Sequence, residues 1–299
     1  MDLVLGLADY HFFTPYVYPA SWPEDSILRQ TISLLIVTNL GAYALYFFFA
    51  TLSYYFVFDH SLMKHPQFLK NQVSREIKYT MWALPWMSLP TVSLFLLEIR
   101  GFSKLYDHLG EPPHGWVELA GSVVSFLFFT DMLIYFIHRG LHHRLLYKNI
   151  HKPHHIWKVP TPFASHAFHP VDGFVQSLPY HIYPFVFPLH KVVYLTLYVL
   201  VNIWTISIHD GDFRVPRALK PFINGSAHHT DHHLFFDYNY GQYFTLWDRI
   251  GGSFKNPSAF EGSGPLNYVK KMAEGKCNGS VENNCERDGG RQGVSSKAE

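Results

Sequence analysis

The sequence predicts an all-α, multi-pass membrane protein. Its fold has four to five transmembrane or hairpin helices and a cytosolic, histidine-rich cap that holds two metal ions. Three observations predict this fold. The 299-residue chain contains long uncharged apolar stretches, it has 20 histidines, and the histidines cluster where apolar stretches end. Charged residues make up only 16% of the chain, compared with about 25% in a typical soluble domain.

Three apolar segments are predicted to cross the membrane. Residues 31–58 contain no charged side chain, and about 20 helical residues are enough to cross the hydrocarbon core. Residues 79–97 are also uncharged, with Pro85 and Pro90 as expected kinks. Residues 117–137 form the third candidate span. An uncharged stretch as long as the first is rare in soluble proteins, so these segments predict membrane spans rather than buried core helices.

A fourth apolar segment, residues 173–207, is predicted to be a helical hairpin. It is too long for one span, and Pro184, Pro188, His190 and Lys191 lie near its middle. Such residues are costly at the centre of a bilayer, so we expect them to form a turn. Histidine clusters precede and follow this segment. The chain must therefore leave and return to the same side if the clusters share one site.

Basic residues predict the orientation in the membrane. They concentrate in the 59–78 loop and after the third span, whereas residues 100–116 contain only Arg100 and Lys104. By the positive-inside rule, the two basic segments face the cytosol and the N-terminus faces the opposite side. The basic residues concerned are Lys64, Lys70, Arg75 and Lys78, followed by Arg139, Arg144, Lys148, Lys152 and Lys158.

The chain divides into three predicted parts. Residues 1–30 form an N-terminal segment, and residues 31–273 form the membrane-embedded domain. Residues 274–299 are polar with almost no apolar side chains, which predicts a disordered tail. The net charge of +1 gives no reason to expect nucleic acid as a partner.

Three histidine clusters are the candidate functional site. Spacings of three and four residues place side chains close together on one side of a helix. Neutral imidazole is a good ligand for iron, zinc and copper. The clusters are His138 and His142, with His143 beside them; His151, His154 and His155; and His229, His232 and His233, with His228 beside them.

The number of histidines indicates two metal ions. Eight imidazoles exceed the four ligands of a closed zinc site, and two irons with open positions are the natural pair for activating oxygen. Outside the clusters, His209 lies where the hairpin leaves the membrane and is predicted to be a further ligand. His228 is the next candidate. Four acidic residues near the clusters are expected to orient ligands, namely Asp131, Asp210, Asp212 and Asp231.

Other catalytic motifs are absent from the sequence. No glycine-rich dinucleotide motif follows a predicted strand, so electrons for oxygen chemistry are expected from another protein. A membrane metal transporter is the alternative from a different functional class. Transporters place polar residues within the membrane along a path, whereas these clusters lie at the ends of spans.

The histidine motifs resemble those of the fatty acid hydroxylase and sterol desaturase superfamily. They are His138-x-x-x-His142, His151-x-x-His154-His155 and His229-x-x-His232-His233. Three longer stretches resemble the sterol C5-desaturases of this superfamily. They are MDLVLGLADYHFFTPYVYPASWPEDS, HKPHHIWKVPTPFASHAFHPVDGF and NGSAHHTDHHLFFDYNYGQYFTLWDRIGG. The resemblance covers nearly the whole chain and fades only in the polar tail.

The resemblance implies an oxygen-dependent, non-haem di-iron sterol desaturase of the endoplasmic reticulum membrane. Such an enzyme introduces the C5–C6 double bond into a Δ7-sterol, converting lathosterol to 7-dehydrocholesterol in cholesterol biosynthesis. The eight histidines of the motifs would hold two irons, and cytochrome b5 with its NADH-dependent reductase would supply electrons. The expected partners are thus a sterol, membrane lipid and cytochrome b5. A related di-iron lipid hydroxylase or sterol methyl oxidase is the alternative within the same superfamily.

Overall fold

The computed structural model describes residues 1–108 and 115–275, which are mostly helical. The predicted tail therefore lies outside the described residues from position 276 onwards. The α-helices are α1 (Asp2–Ala8), α2 (Thr14–Tyr16), α3 (Ile27–Phe56), α4 (Gln72–Leu97), α5 (Trp116–Leu141), α6 (Arg144–Leu146), α7 (Lys152–His155), α8 (Pro170–Val186), α9 (Lys191–Ser207), α10 (Ser226–Phe235), α11 (Leu246–Ile250) and α12 (Pro265–Ala273).

Shorter elements connect these helices. Strands β1 (Leu105–Tyr106) and β2 (Leu189–His190) pair in parallel. Short 3-10 helices occupy His60–Lys64, Pro162–His166 and Ser258–Glu261, and short π-helices occupy Asp9–Phe13, Glu98–Phe102 and Tyr147–His151.

The three predicted spans are confirmed as long apolar helices. Within the described part of the chain, three helices are long and apolar enough to cross a membrane: Ile27–Phe56, Gln72–Phe102 and Trp116–Leu141. Two of them begin several residues before the uncharged stretches that predict them. Charged residues such as Arg29 and Glu76 lie in the first turns of these helices. An uncharged stretch therefore marks the part of a helix suited to hydrocarbon and misses the turns at its ends.

Both prolines of the second span lie inside α4. A proline cannot donate a hydrogen bond to the carbonyl four residues earlier, which for Pro85 is that of Met81. The hydroxyl of Tyr43 on α3 donates to this carbonyl at 3.1 Å. A neighbouring helix thus satisfies the backbone group that the proline frees, as an apolar environment requires.

The predicted hairpin is formed by α8 and α9, which have 17 residues each. Each helix is about 25 Å long at 1.5 Å per residue. The chain turns between Val186 and Lys191, as predicted, although Pro184 lies in the last turn of α8 rather than in the connection. The segments before α8 and after α9 therefore return to the same end of the molecule.

The other end of the molecule joins the N-terminus, the connection between α4 and α5, and the hairpin turn. Lys191 forms ion pairs with Asp2 at 2.6 Å and with Asp107 at 2.7 Å. Lys104 donates to the carbonyl of Val186 at 2.8 Å. These contacts place the N-terminus at the end opposite the histidine clusters, which agrees with the predicted arrangement.

A buried segment links the second histidine cluster to α8 and packs against the spans. The hydroxyl of Thr161 donates to the fully buried carboxyl of Glu76, which also accepts from the amide of Gln72 at 2.7 Å. The hydroxyl of Tyr46 on α3 donates to the carbonyl of Phe163 at 2.9 Å. These bonds hold the segment against α3 and α4, beside the histidines.

Candidate metal centre

The three histidine clusters converge, as predicted, and form two groups. Among the described residues, nine histidines place one nitrogen each within 4.8 Å of the other nitrogens of their group. We name the groups cage one and cage two. Cage one consists of His138, His142, His151, His155 and His232, and cage two consists of His154, His209, His229 and His233.

Helix geometry explains why the second and third clusters each contribute to both cages. Successive helical residues point about 100° apart, whereas residues four apart point in nearly the same direction. His151 and His155 therefore face cage one together, and the adjacent His154 faces cage two. In α10, His229 and the residue four positions later face cage two, and His232 faces cage one. One helical turn thus supplies ligands to two neighbouring sites.

His209 belongs to cage two, although it lies outside the three clusters. It follows the C-terminus of α9, and its Nδ1 lies 2.7 Å from the carbonyl of Thr205. Its Nε2 lies 3.0 Å from Nε2 of His229 and 3.4 Å from Nε2 of His154. The structure therefore brings His209 to the position that a ligand in cage two would need.

The nitrogens of cage one are arranged to bind a cation. Nδ1 of His138 donates to the carbonyl of Tyr240 at 2.9 Å, and Nδ1 of His151 donates to the carboxylate of Asp172 at 2.8 Å. A neutral imidazole has a single N–H, so both Nε2 atoms carry lone pairs. These lone pairs face each other across 3.1 Å. Two nitrogens bound at about 2.1 Å and roughly right angles to one metal ion are about 3.0 Å apart. The residues therefore fit a metal ion.

The carboxylate of Asp172 orients His151. The sequence analysis does not predict this role for Asp172. Both side chains are fully buried, and Asp172 also accepts from the amide of Gln176 at 2.7 Å. Such a carboxylate fixes the tautomer of a histidine ligand and increases its basicity. Asp172 lies in the first turn of α8, two residues after Pro170 at the helix start. This position gives no sign of a partner 21 residues earlier in the chain.

The four acidic residues predicted to orient ligands make other contacts. Asp131 accepts from the backbone N–H groups of residues 242, 243 and 244, and Asp210 accepts from the N–H of Asp212. Asp212 pairs with Arg214, and Asp231 accepts from Ser258. Asp131 thus supports the loop after α10, whereas direct orientation of His151 comes from Asp172.

Backbone carbonyls of the loop after α10 orient two further histidines of cage one. The carbonyl of Tyr240 accepts from His138, and that of Tyr238 accepts from Nδ1 of His232 at 2.7 Å. Asp248 holds this loop, because its carboxylate accepts from the N–H groups of Tyr240 at 2.9 Å and of the next residue at 2.8 Å. Backbone carbonyls have no side-chain signature, so sequence patterns do not identify these contacts.

Burial keeps the clustered imidazoles neutral, which is the form that binds metal. Removal from water and the proximity of other imidazoles lower the pKa of the clustered histidines outside the spans well below its usual range. For His209, burial lowers the pKa to about 4. The other residues affected are His142, His154, His155, His229, His232 and His233.

Aromatic rings lie over part of cage one. The ring of Phe236 lies 5.2 Å from that of His155 and 5.9 Å from that of Tyr147, and the ammonium of Lys158 lies over its ring at 3.2 Å. Phe236 has a φ of 71°, a conformation that costs energy for a bulky residue. This backbone places its ring against cage one and limits the access of water.

Two histidines that flank the clusters lie outside both cages. His143 is exposed and accepts from the N–H of Leu145 at the start of α6. His228 is buried against the rings of Phe254 and Phe260, and neither of its ring nitrogens has a hydrogen-bond partner among the described residues. The predicted ligand role of His228 therefore finds no support in this geometry.

A cavity between the spans leads to both cages. His138 of cage one and three residues of cage two line it, together with apolar side chains such as Leu84, Ile134 and Val201. A concave, mainly apolar site with a few polar groups is typical of small-molecule binding. The three lining residues from cage two are His154, His209 and His229.

We expect Asp172→Asn to reduce metal affinity or activity about 10–100-fold, the usual cost of removing a partner that orients a ligand. Measuring bound metal per chain and turnover at equal expression would test this. The matched control is Asp237→Asn, which alters an exposed carboxylate close to the third cluster. Equal behaviour of the two variants would contradict the role of Asp172.

The fold and the site together define a class of protein. The chain is a multi-pass membrane protein whose cavity ends at two groups of histidines, each able to hold a metal ion. Comparison with known proteins identifies the family. Residues 123–253 match the model of the fatty acid hydroxylase family, and with the close relatives described next this match shows that the chain belongs to that family, as predicted.

Several curated relatives are similar over most of their length. The chain is 82% identical to the lathosterol oxidase of Mus musculus over 285 residues, 95% of each chain. It is 79% identical to the lathosterol oxidase of Homo sapiens over 288 residues, 96% of each chain. It is 51% identical to the Delta(7)-sterol 5(6)-desaturase of Leptosphaeria maculans over 243 residues, 81% of this chain and 67% of the relative. No solved structure matches the chain at a significant level.

Proposed function

We propose that this protein is a sterol C5-desaturase that converts lathosterol to 7-dehydrocholesterol. The observation that carries this proposal is the cavity between the spans, which opens onto histidines of both cages. Relatives named lathosterol oxidase, at about four-fifths identity along almost the whole chain, support the same reaction. The assignment extends to a role in sterol biosynthesis.

We propose iron as the metal of both cages. Zinc has no redox chemistry and takes four ligands in a closed site, whereas cage one offers five nitrogens. Imidazole suits iron. Two irons, when bound, would activate oxygen for the removal of two hydrogens from the sterol. In the overall reaction, hydrogens from C5 and C6, together with two electrons and two protons, reduce one O2 to two water molecules.

The protein's own residues orient the ligands and exclude water. Asp172 and the carbonyls of Tyr238 and Tyr240 fix three imidazoles of cage one with Nε2 directed inward. The carbonyl of Thr205 does the same for His209 in cage two. Burial of both cages favours abstraction of hydrogen from the substrate over side reactions with water.

Electrons must come from a partner, for which we propose cytochrome b5, reduced by NADH through its reductase. The surface near the cages carries exposed cations, and charge complementarity steers the encounter of an acidic carrier with such a surface. These cations are Arg139, Arg144, Lys148 and Lys152.

We propose that the protein lies in the endoplasmic reticulum membrane with both cages facing the cytosol. Lys148→Cys and Ser21→Cys place exposed thiols at the two ends of the molecule, in a background with Cys277 and Cys285 replaced by serine. In sealed microsomes, a membrane-impermeant maleimide should label position 148 directly and position 21 only after detergent treatment. The reverse pattern would refute the orientation.

The reaction itself can be tested in microsomes that contain this protein as their only source of the activity. Incubation with lathosterol, NADH and oxygen should produce a conjugated 5,7-diene, which is detected by its ultraviolet absorption and by mass spectrometry. Formation of a hydroxylated sterol instead of the diene would identify a hydroxylase of the same family. Absence of both products in the presence of active cytochrome b5 would refute the proposed function.

A further inference from the structure

Among the polar side chains that line the cavity, Asn202 and His181 lie at different depths below the cages. Asn202 lines the shallower level, three residues or about 4.5 Å along α9 from Thr205, whose carbonyl accepts from His209. His181 lines the deeper level, nine residues or about 13.5 Å along α8 from Asp172. Both cages therefore lie at one end of the cavity. The depth of a polar side chain in the cavity can be expressed as its distance along α8 or α9 from a residue that contacts a cage.

The amide of Asn202 is held in a fixed orientation. Its Oδ1 lies 3.2 Å from Nε2 of His166, whose Nδ1 lies 3.0 Å from the hydroxyl of Ser165. Its Nδ2 donates to the carbonyl of Tyr198 at 2.7 Å. A carboxamide has two N–H groups and two acceptor positions on oxygen. Asn202 therefore retains one donor and one acceptor for a ligand in the cavity, already oriented before the ligand binds.

The covalent structure of a sterol limits where its 3-hydroxyl can bind. The hydroxyl oxygen is three bonds from C5, which places it within about 4 Å of that carbon. When C5 and C6 face the cages, the hydroxyl must lie within roughly one helical turn of them. Asn202 lies at that depth, whereas His181 lies about two and a half turns deep.

On the basis of the proposed function, we propose that Asn202 binds the 3-hydroxyl of the sterol and thereby places C5 and C6 at the cages. The hydroxyl accepts from the free amide N–H and donates to the amide oxygen. The bond from Nδ2 to the carbonyl of Tyr198 fixes which side of the amide faces the cavity. The sterol side chain extends toward the level of His181.

Two other carboxamides line the cavity, and both form hydrogen bonds with residues that orient histidines of the cages. Gln176 donates to Asp172, the partner of His151. Gln242 donates to the hydroxyl of Thr205 at 3.1 Å. Replacing Gln176 would disturb cage one, whereas replacing Asn202 leaves the contacts of both cages intact. Asn202 is therefore the position at which recognition of the hydroxyl can be tested separately from metal binding.

The test compares lathosterol with its analogue that lacks the 3-hydroxyl, using iron-loaded protein in lipid vesicles supplied with cytochrome b5, its reductase, NADH and oxygen. Both kcat/KM and equilibrium sterol binding are measured. We expect the original protein to prefer lathosterol about tenfold, because the analogue leaves amide groups of the cavity without a partner. In Asn202→Leu this preference should fall to within about twofold. Thr196→Val, which removes an exposed hydroxyl on α9, should keep the original preference.

His181→Phe distinguishes the two depths of the cavity. It should keep the preference for lathosterol, because the hydroxyl binds one turn below the cages. Loss of the preference in His181→Phe, or its retention in Asn202→Leu, would overturn the assignment. Should the original protein desaturate neither sterol, the proposed function would fail, while the binding preference of Asn202→Leu would still decide the role of this residue.

Discussion

Replacing His232 with alanine should abolish sterol desaturation and lower the iron content of the purified protein. His232 is fully buried in cage one, and its Nδ1 donates to the carbonyl of Tyr238. Its Nε2 has no hydrogen-bond partner among the described residues, so the lone pair remains free for a metal ion. The expected loss exceeds the roughly 10–100-fold cost of removing an orienting partner, because a ligand itself is removed.

His143→Ala is the matched control for His232→Ala. His143 also belongs to the histidine-rich sequence, but it is exposed and lies outside both cages. Iron content and turnover should stay close to those of the original protein, measured at equal expression in the same membranes. Near-normal activity of His232→Ala would show that the assignment of cage one is wrong. Equal loss in both variants would point to unfolding rather than to a missing ligand.

Much of the fold could be predicted from the sequence because each span contains a long apolar stretch. The hairpin was also predictable, since polar residues such as Lys191 interrupt an apolar segment that is too long for one helix. The helix ends were less predictable. Glu76 lies in the first turns of α4, where its buried carboxyl accepts from Thr161 on a distant segment and from Gln72 one turn earlier on the same helix. The distant partner depends on the tertiary structure and leaves no local pattern.

The convergence of the histidine clusters could be predicted, but their division between two cages could not. Periodicity places His151, His154 and His155 on one broad face of a helix and does not show that two ions share that face. The division depends on where α5, α9 and α10 meet in space. For the same reason the sequence suggested nearby acidic residues as orienting partners, whereas Asp172 and backbone carbonyls occupy those positions.

Replacing His209 with alanine should remove the ion of cage two. His209 supplies one of the four nitrogens in that cage, and its Nε2 lies 3.0 Å from Nε2 of His229. Three remaining imidazoles would hold an ion much more weakly, since metal affinity depends on the number of ligands in place. We expect the iron content to fall from about two ions to about one per chain, with turnover lost as well.

The control for His209→Ala is His228→Ala, because His228 is also a buried histidine but lies outside both cages. Iron per chain is measured on purified protein, alongside its thermal stability, so that unfolding is detected separately. His228→Ala should retain both ions. Unchanged iron with reduced turnover in His209→Ala would contradict its role as a ligand, and so would unchanged turnover. Loss of iron in His228→Ala at unchanged stability would instead show that the ligand set extends beyond the nine histidines of the two cages.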